Sequence, residues 1–129
     1  MNKILLIEPD KLLADSYKTF LENFDKYEVI VVRGAQEAIS AADYSTPDIV
    51  IMELQLIEHS GIEFLYEFRS YVEWQSIPVI VQSLVPFNEF RDNWKILKNE
   101  LGVEHYLYKP QTDLKSLLQS VESLSLLKT

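Results

Sequence analysis

Four short apolar runs in this chain lead into residues that could do chemistry. Ile4-Leu5-Leu6-Ile7 meets Glu8-Pro9-Asp10, and Ile49-Val50-Ile51-Met52 meets Glu53. Val79-Ile80-Val81 leads to Ser83, and Tyr106-Leu107-Tyr108 is followed at once by Lys109 and Pro110. In an open α/β sheet, binding groups collect just beyond the carboxyl ends of the strands. Carboxylates, a hydroxyl and a lysine brought to one sheet edge would make an anion or phosphoryl site. Loop ends are polar in any protein, so these residues need a frame that demonstrably brings them together.

The pattern between them supplies that frame. A helical stretch over 11–24 places Leu13, Tyr17, Phe20, Leu21 and Phe24 on one face, with Asp10 set to cap it. Val29-Ile30-Val31-Val32 reads as the second strand, and a short helix with Ala35, Ala38, Ile39 and Ala42 follows. A third helix is expected from about Gly61 to Val72, turning Ile62, Leu65 and Phe68 inward. A fourth starts near Pro86, with Phe87, Phe90, Trp94, Leu97 and Leu101 at helical spacing and Gly102 as its C-terminal stop. A fifth starts at Asp113 and carries Leu114, Leu117, Leu118, Val121 and Leu124. Strict β-α alternation predicts an α/β fold of (βα)5 type: a doubly wound, five-stranded parallel sheet with helices on both faces. The first, third and fourth strands are apolar on consecutive residues, as strands covered on both sides must be. No linker or repeat interrupts the pattern, so residues 1–129 are expected to form a single domain.

Composition narrows the function classes. The 129 residues are 47% hydrophobic, enough for a real core without staples. There is no cysteine, which excludes disulfides, thiolate metal sites and thiol nucleophiles, and suits a cytoplasmic setting. No apolar run approaches the ~20 residues of a membrane span, and the opening MNKILLIEPD lacks the form of a signal peptide. A net charge of −8 opposes direct binding to nucleic acid. Spread thinly, the same charge serves solubility.

Together, KILLIEPD, PDIVIMELQLIEHSGIEFL, IPVIVQS and GVEHYLYKP resemble, in order and spacing, the response-regulator receiver domain (CheY-like family) of bacterial two-component signalling. The resemblance runs over essentially the whole chain and implies the flavodoxin-like receiver fold. In that family an aspartate ending the third strand accepts a phosphoryl group, and two acids after the first strand help to hold Mg²⁺. A Ser or Thr after the fourth strand and a Lys after the fifth contact the phosphoryl oxygens, and an aromatic residue on the fifth strand acts as the switch.

Carried across, the resemblance puts Glu53 at the phosphoacceptor position and Glu8-Pro9 at the acid pair. Ser83, Tyr106 and Lys109 stand at the hydroxyl, switch and lysine positions. Pro110 follows the lysine, where the family's peptide bond is often cis. Ile57 stands where a proline is usual. Glu53 is one methylene longer than Asp, which displaces its oxygens by roughly 1 Å, and errors of that size cost ~100-fold in rate. Pro9 has no side-chain oxygen, so Glu8 and Glu53 would be the only carboxylates available to Mg²⁺.

The expectation is therefore a pseudo-receiver, not an enzyme, without a cofactor or metal. It would act in signal transduction by protein contact through the fourth helix, fifth strand and fifth helix, with a partner or a second copy. Two alternatives stay open: a residual Mg²⁺-dependent phosphoacceptor in a phosphorelay, and the regulatory domain of a longer transcriptional regulator. Glu53 could imitate a phosphorylated aspartate by reaching Lys109, or simply form a structural ion pair with it. Ser83 and Tyr106 could keep a live two-state element, or be ordinary strand-end residues.

Other candidates carry less. His59 and His105 lack metal-like partner spacing. Glu58-His59-Ser60 lacks the elbow and oxyanion hole of a hydrolase. With glycine only at 34, 61 and 102, no phosphate-cradling loop is possible. Phe87, Phe90 and Trp94 are expected to pack inward, or in part to line a partner groove.

Overall fold

A computed structural model describes residues 2–127. Met1, Lys128 and Thr129 of the expected 1–129 domain lie outside the described residues. The strands are β1 (Asn2–Ile7), β2 (Tyr27–Val32), β3 (Ile49–Met52), β4 (Val79–Ser83) and β5 (Val103–Tyr108). The helices are α1 (Lys11–Glu22), α2 (Ala35–Tyr44), α3 (Gly61–Ser70) and α4 (Leu114–Leu127). An irregular helical stretch over 87–100 lies between β4 and β5. The strands form one five-stranded parallel sheet in the order β2-β1-β3-β4-β5, as the alternation predicted.

Alternate residues of each strand feed two cores. Leu5, Ile7, Val50, Met52, Val79 and Val81 pack under α2, α3 and the 87–100 stretch. Ile4, Leu6, Ile49, Ile51 and Ile80 pack under α1 and α4, against Leu21, Leu117 and Val121. The chain order reverses between β1 and β3, so the crevice at their carboxyl ends is the topological switch point. Helix starts are satisfied locally. Asp10 accepts from the Leu13 amide at 3.1 Å, Ser60 from that of Glu63 at 3.1 Å, and Asp113 from that of Ser116 at 2.8 Å. Ser60 is thus a helix cap, which accounts for Glu58-His59-Ser60 without hydrolytic chemistry.

Two glycines are required. A Cβ on Gly61 would lie 2.7 Å from the Leu54 Cα, because the start of α3 is drawn against the β3–α3 loop by the Gly61 amide to the Leu54 carbonyl. Gly102 has φ of 72° and ends the 87–100 stretch as expected, with the Arg69 guanidinium against its Cα. From there Arg69 donates to the carbonyls of Leu101, Trp74 and Ile77, tying α3 to the two chain segments beside β4 and β5.

Three expectations need correction. Phe24 is 40% exposed, because α1 stops at Glu22 and Phe24 sits in the turn before β2, edge-on to Phe20. The third helix stops at Ser70, and Val72 begins a separate 3-10 turn in which Trp74, not Val72, enters the core. The fourth helix is not a regular α-helix. It begins as 3-10 turns over Phe87–Asn93 and ends in a wide π turn, Ile96–Glu100, with the Leu101 amide bonded to the Ile96 carbonyl at 3.1 Å. The tighter winding eclipses residues three apart. Phe87 and Phe90 thereby both meet the ring of Tyr106, at 5.3 and 6.0 Å.

Among the described residues, the Tyr27 hydroxyl is the one buried side-chain polar atom without a hydrogen-bond partner. An unsatisfied buried hydroxyl costs about 1–3 kcal/mol. Tyr27→Phe is expected to raise stability by about 1 kcal/mol, read as a higher urea midpoint at unchanged slope.

Candidate functional site

Four strand ends deliver the expected residues to one place. Glu8 leaves β1, Glu53 leaves β3, Ser83 ends β4 and Lys109 follows β5. Glu8 and Glu53 are 1% and 2% exposed, and Ser83 is fully buried. The Lys109 ammonium lies between the two carboxylates, 2.8 Å from Glu8 Oε1 and 2.7 Å from Glu53 Oε1. Two buried negative charges thus share one buried cation.

Both oxygens of Glu53 are saturated. Oε1 accepts from Lys109 and from the Leu84 amide at 3.2 Å. Oε2 accepts from the amides of Leu54 and Gln55, at 2.6 and 3.1 Å, and from the Ser83 hydroxyl. Burial is the largest influence on this carboxyl and pushes its pKa up. The Lys109 ammonium, the Ser83 hydroxyl and the Gln55 amide together overcome that, leaving it below its ordinary 4.5.

Ser83 carries the arrangement onward. Its Oγ accepts from the Val85 amide at 3.0 Å, and the Val85 carbonyl accepts from the Tyr106 hydroxyl at 2.6 Å. Tyr106 is turned inward against Phe87 and Phe90, and Trp94 lies edge-on to Phe87 at 5.2 Å. The aromatic stripe is therefore half-buried packing around the switch position. Burial, reinforced by the Glu53 and Glu89 charges, raises the Tyr106 phenol to about 12, with the nearby Ser83 hydroxyl acting in the opposite direction.

Pro9 lies at the pocket rim with Asp10, Leu13, Leu84 and Pro110. Its carbonyl accepts from Arg33 at 2.9 Å, so its role is carried by main chain. Ile57 is 72% exposed and outside this cluster. His59 lies 3.9 Å from Glu63 on the surface, and His105 pairs with Ser123 at 2.9 Å. Among the described residues no group of three or more His, Asp or Glu side chains is placed to hold a metal ion. No helix there is long and apolar enough to cross a membrane.

The Lys109–Pro110 bond is trans, which corrects the cis expectation: the described chain has no cis peptide. Lys109–Gln111 forms a 3-10 turn closed by the Thr112 amide on the Lys109 carbonyl at 3.2 Å. A trans proline suits the first turn of a helix, where its missing N–H would have no partner.

Two functional residues were missed in the sequence. Gln82 is 1% exposed and donates from Nε2 to Glu8 Oε1 at 2.8 Å. Its Oε1 accepts from the Tyr17 hydroxyl on α1 at 2.9 Å. Glu8 Oε2 is taken by the Asp10 amide at 3.1 Å. The available signal was a long amide at the end of an otherwise apolar strand, beside Ser83. Tyr17 looked like one more apolar-face residue.

A doubly wound parallel sheet whose carboxyl edge gathers acids, a hydroxyl and a lysine at the switch point defines a receiver-type signalling domain. The family model described as response regulator receiver domain matches residues 4–122, and the chain belongs to that family. It is 30% identical over 124 residues to the transcriptional regulatory protein YdfI of Bacillus subtilis, covering 95% of this chain and 54% of YdfI. It is 32% identical over 113 residues to the transcriptional regulatory protein CpxR of Escherichia coli, covering 88% of this chain and 45% of CpxR. The chain thus spans about half the length of the curated relatives it matches. The fold matches the chemotaxis response regulator CheY4 of Vibrio cholerae, with TM-score 0.83, 19% identity, and coverage of 96% of this chain and 98% of that one.

The pocket charges set a pH window. The Glu53 pKa is depressed on folding, so its contribution is complete above about pH 4.5 and is lost as pH falls through the lower folded value. Tyr106 is raised from 10.0 to about 12, so its contribution is complete below pH 10 and is lost on the way to 12. Urea unfolding across pH is expected to fall away on both sides, with Glu53→Gln flattening the acid limb. Lys109→Met leaves two buried carboxylates without their cation and is expected to cost about 3–5 kcal/mol at pH 7, measured the same way.

Proposed function

We propose that this receiver domain is a pseudo-receiver: a signalling module that works by protein contact without phosphoryl transfer, and not an enzyme. The observation that carries this is the saturation of Glu53. Both donors that would receive a phosphoryl group in the family scheme, Ser83 and Lys109, are already spent on its carboxylate, which three loop amides hold as well. Phosphoryl transfer depends on placing an attacking oxygen in line with free stabilising donors, and this carboxylate is anchored by the very groups the transition state would need.

The donor set also does not fit Mg²⁺. That ion asks for near-octahedral oxygens at about 2.0–2.1 Å. Glu8 and Glu53 turn their oxygens to Lys109, Gln82 and main-chain amides, and Pro9 adds none. No step of the proposed function runs through a metal.

In this scheme Glu53 stands in for the charged phosphoacceptor, with one charge against the roughly two of a phosphoryl group. It holds Ser83 and, through Val85, the inward Tyr106 in one arrangement. The output face is the 87–100 stretch, β5 and α4, offered to a protein partner or a second copy. A second arrangement is favoured by the relatives: the matched proteins are transcriptional regulators about twice as long, which supports a role as the regulatory part of such a protein, with any DNA contact made elsewhere.

The test is incubation with acetyl phosphate or phosphoramidate and Mg²⁺, with beryllofluoride in parallel, followed by intact mass and tryptophan fluorescence. Trp94 reports on the Tyr106 cluster through Phe87. The expected result is no adduct and no spectral change. An adduct of one phosphoryl group, abolished by Glu53→Ala, would overturn the proposal.

A further inference from the structure

Gln82 is a buried amide in a strand whose preceding residues are all apolar, and its side chain projects to the face opposite Ser83. A buried amide is costly unless both of its ends are bonded. Both are. Tyr17 donates to its oxygen from α1, and its nitrogen donates to Glu8 Oε1. An amide flipped by 180° would set its oxygen against the Glu8 carboxylate and its nitrogen against the Tyr17 hydroxyl, losing the charge-assisted bond. Glu8, which can only accept, therefore sets the direction of the amide, and Tyr17 holds its other end in place.

The consequence falls on Glu8. Its Oε1 is shared by Gln82 and Lys109, and its Oε2 is held by the Asp10 amide. Both lone pairs of Oε1 are thereby taken and Oε2 keeps one, so Glu8 offers a cation a single lone pair beside an ammonium. Without Gln82 a second lone pair would be free, on Oε1 beside Lys109, with Glu53 on the other side of the same lysine.

We propose that Gln82, held in place by Tyr17, is a selectivity residue that commits Glu8 Oε1 to Lys109 and so weakens the binding of divalent cations in the pocket. This rests on the proposal that the pocket works without phosphoryl transfer, and it names side chains outside the acid, hydroxyl and lysine set that enforce it. Gln82 acts through Glu8 and touches no ligand, so it is a positioning residue. The charges around Glu8 are Lys109, Glu53 across that lysine, and Asp10, which lines the same pocket.

The experiment is Mn²⁺ binding to the full chain, read as loss of the free-ion electron paramagnetic resonance signal and checked by Mg²⁺ competition. It is run in the wild-type chain and in Pro9→Asp, which restores a second acid at the rim. In each background Gln82→Met removes the donor while keeping length and apolar bulk. The expected result is at least ten-fold tighter Mn²⁺ binding on Gln82→Met, a smaller gain in the same direction on Tyr17→Phe, and loss of the gain when Glu8→Gln is added. Damage to packing alone would not create an ion site that depends on Glu8. If Gln82→Met does not fold, by near-ultraviolet circular dichroism, Tyr17→Phe decides. Unchanged Mn²⁺ affinity in the folded variants of both backgrounds would overturn the inference, and so would a gain that survives Glu8→Gln. Failure of the underlying proposal looks different: the wild-type chain itself would take up a phosphoryl group from acetyl phosphate, whatever Gln82→Met does to Mn²⁺.

Discussion

The structure turns on one buried ammonium held between two buried carboxylates. Glu8 and Glu53 come from adjacent strands at the point where the strand order reverses, and both carboxylates are buried. Two such groups side by side are costly unless a cation lies with them, and Lys109, arriving from the far edge strand, is that cation. The contact joins the carboxyl ends of β1, β3 and β5, with Ser83 adding β4. Removal of any member leaves the others desolvated and unmatched, so the pocket behaves as one unit.

The unit extends to both faces of the sheet. On one side the sequence of bonds is Glu8, Gln82, Tyr17, which reaches α1. On the other it is Glu53, Ser83, Val85, Tyr106, which reaches the aromatic cluster of the 87–100 stretch. Fully satisfied buried networks of this kind rigidify what they connect, because each bond is strong in a low-dielectric setting and each broken bond leaves a costly orphan. The extra methylene of Glu53 is what permits it. That carboxylate reaches the serine, the lysine and three amides at once.

Much of this was legible along the chain. Apolar runs of three or four residues alternating with amphipathic stretches were enough to give the parallel sheet, because strands covered on both faces have no polar side to show. Glu8, Glu53, Ser83 and Lys109 could be placed together because sheet topology sends the ends of parallel strands to one edge. Phe24 misled because periodicity says nothing of where a helix stops. The 87–100 stretch misled because 3–4 spacing is compatible with 3-10, α and π winding alike, and packing on Tyr106 chose between them. Pro110 was assigned by analogy, and its own turn geometry decided otherwise.

By itself, then, the sequence determined the architecture and the inventory of the pocket, since both follow from local pattern and from the order of elements. Which bonds the inventory makes was decided only by tertiary structure. Gln82 and Tyr17 stand 65 positions apart, and Gln82 and Glu8 74. No local pattern encodes their meeting, because it depends on the register of β1, β3 and β4 and on the rotation of α1 over them. The same holds for the direction in which Glu53 points. Residue type set its charge and length, but the convergence of an amide-lined loop, a serine and a lysine set what that charge is for.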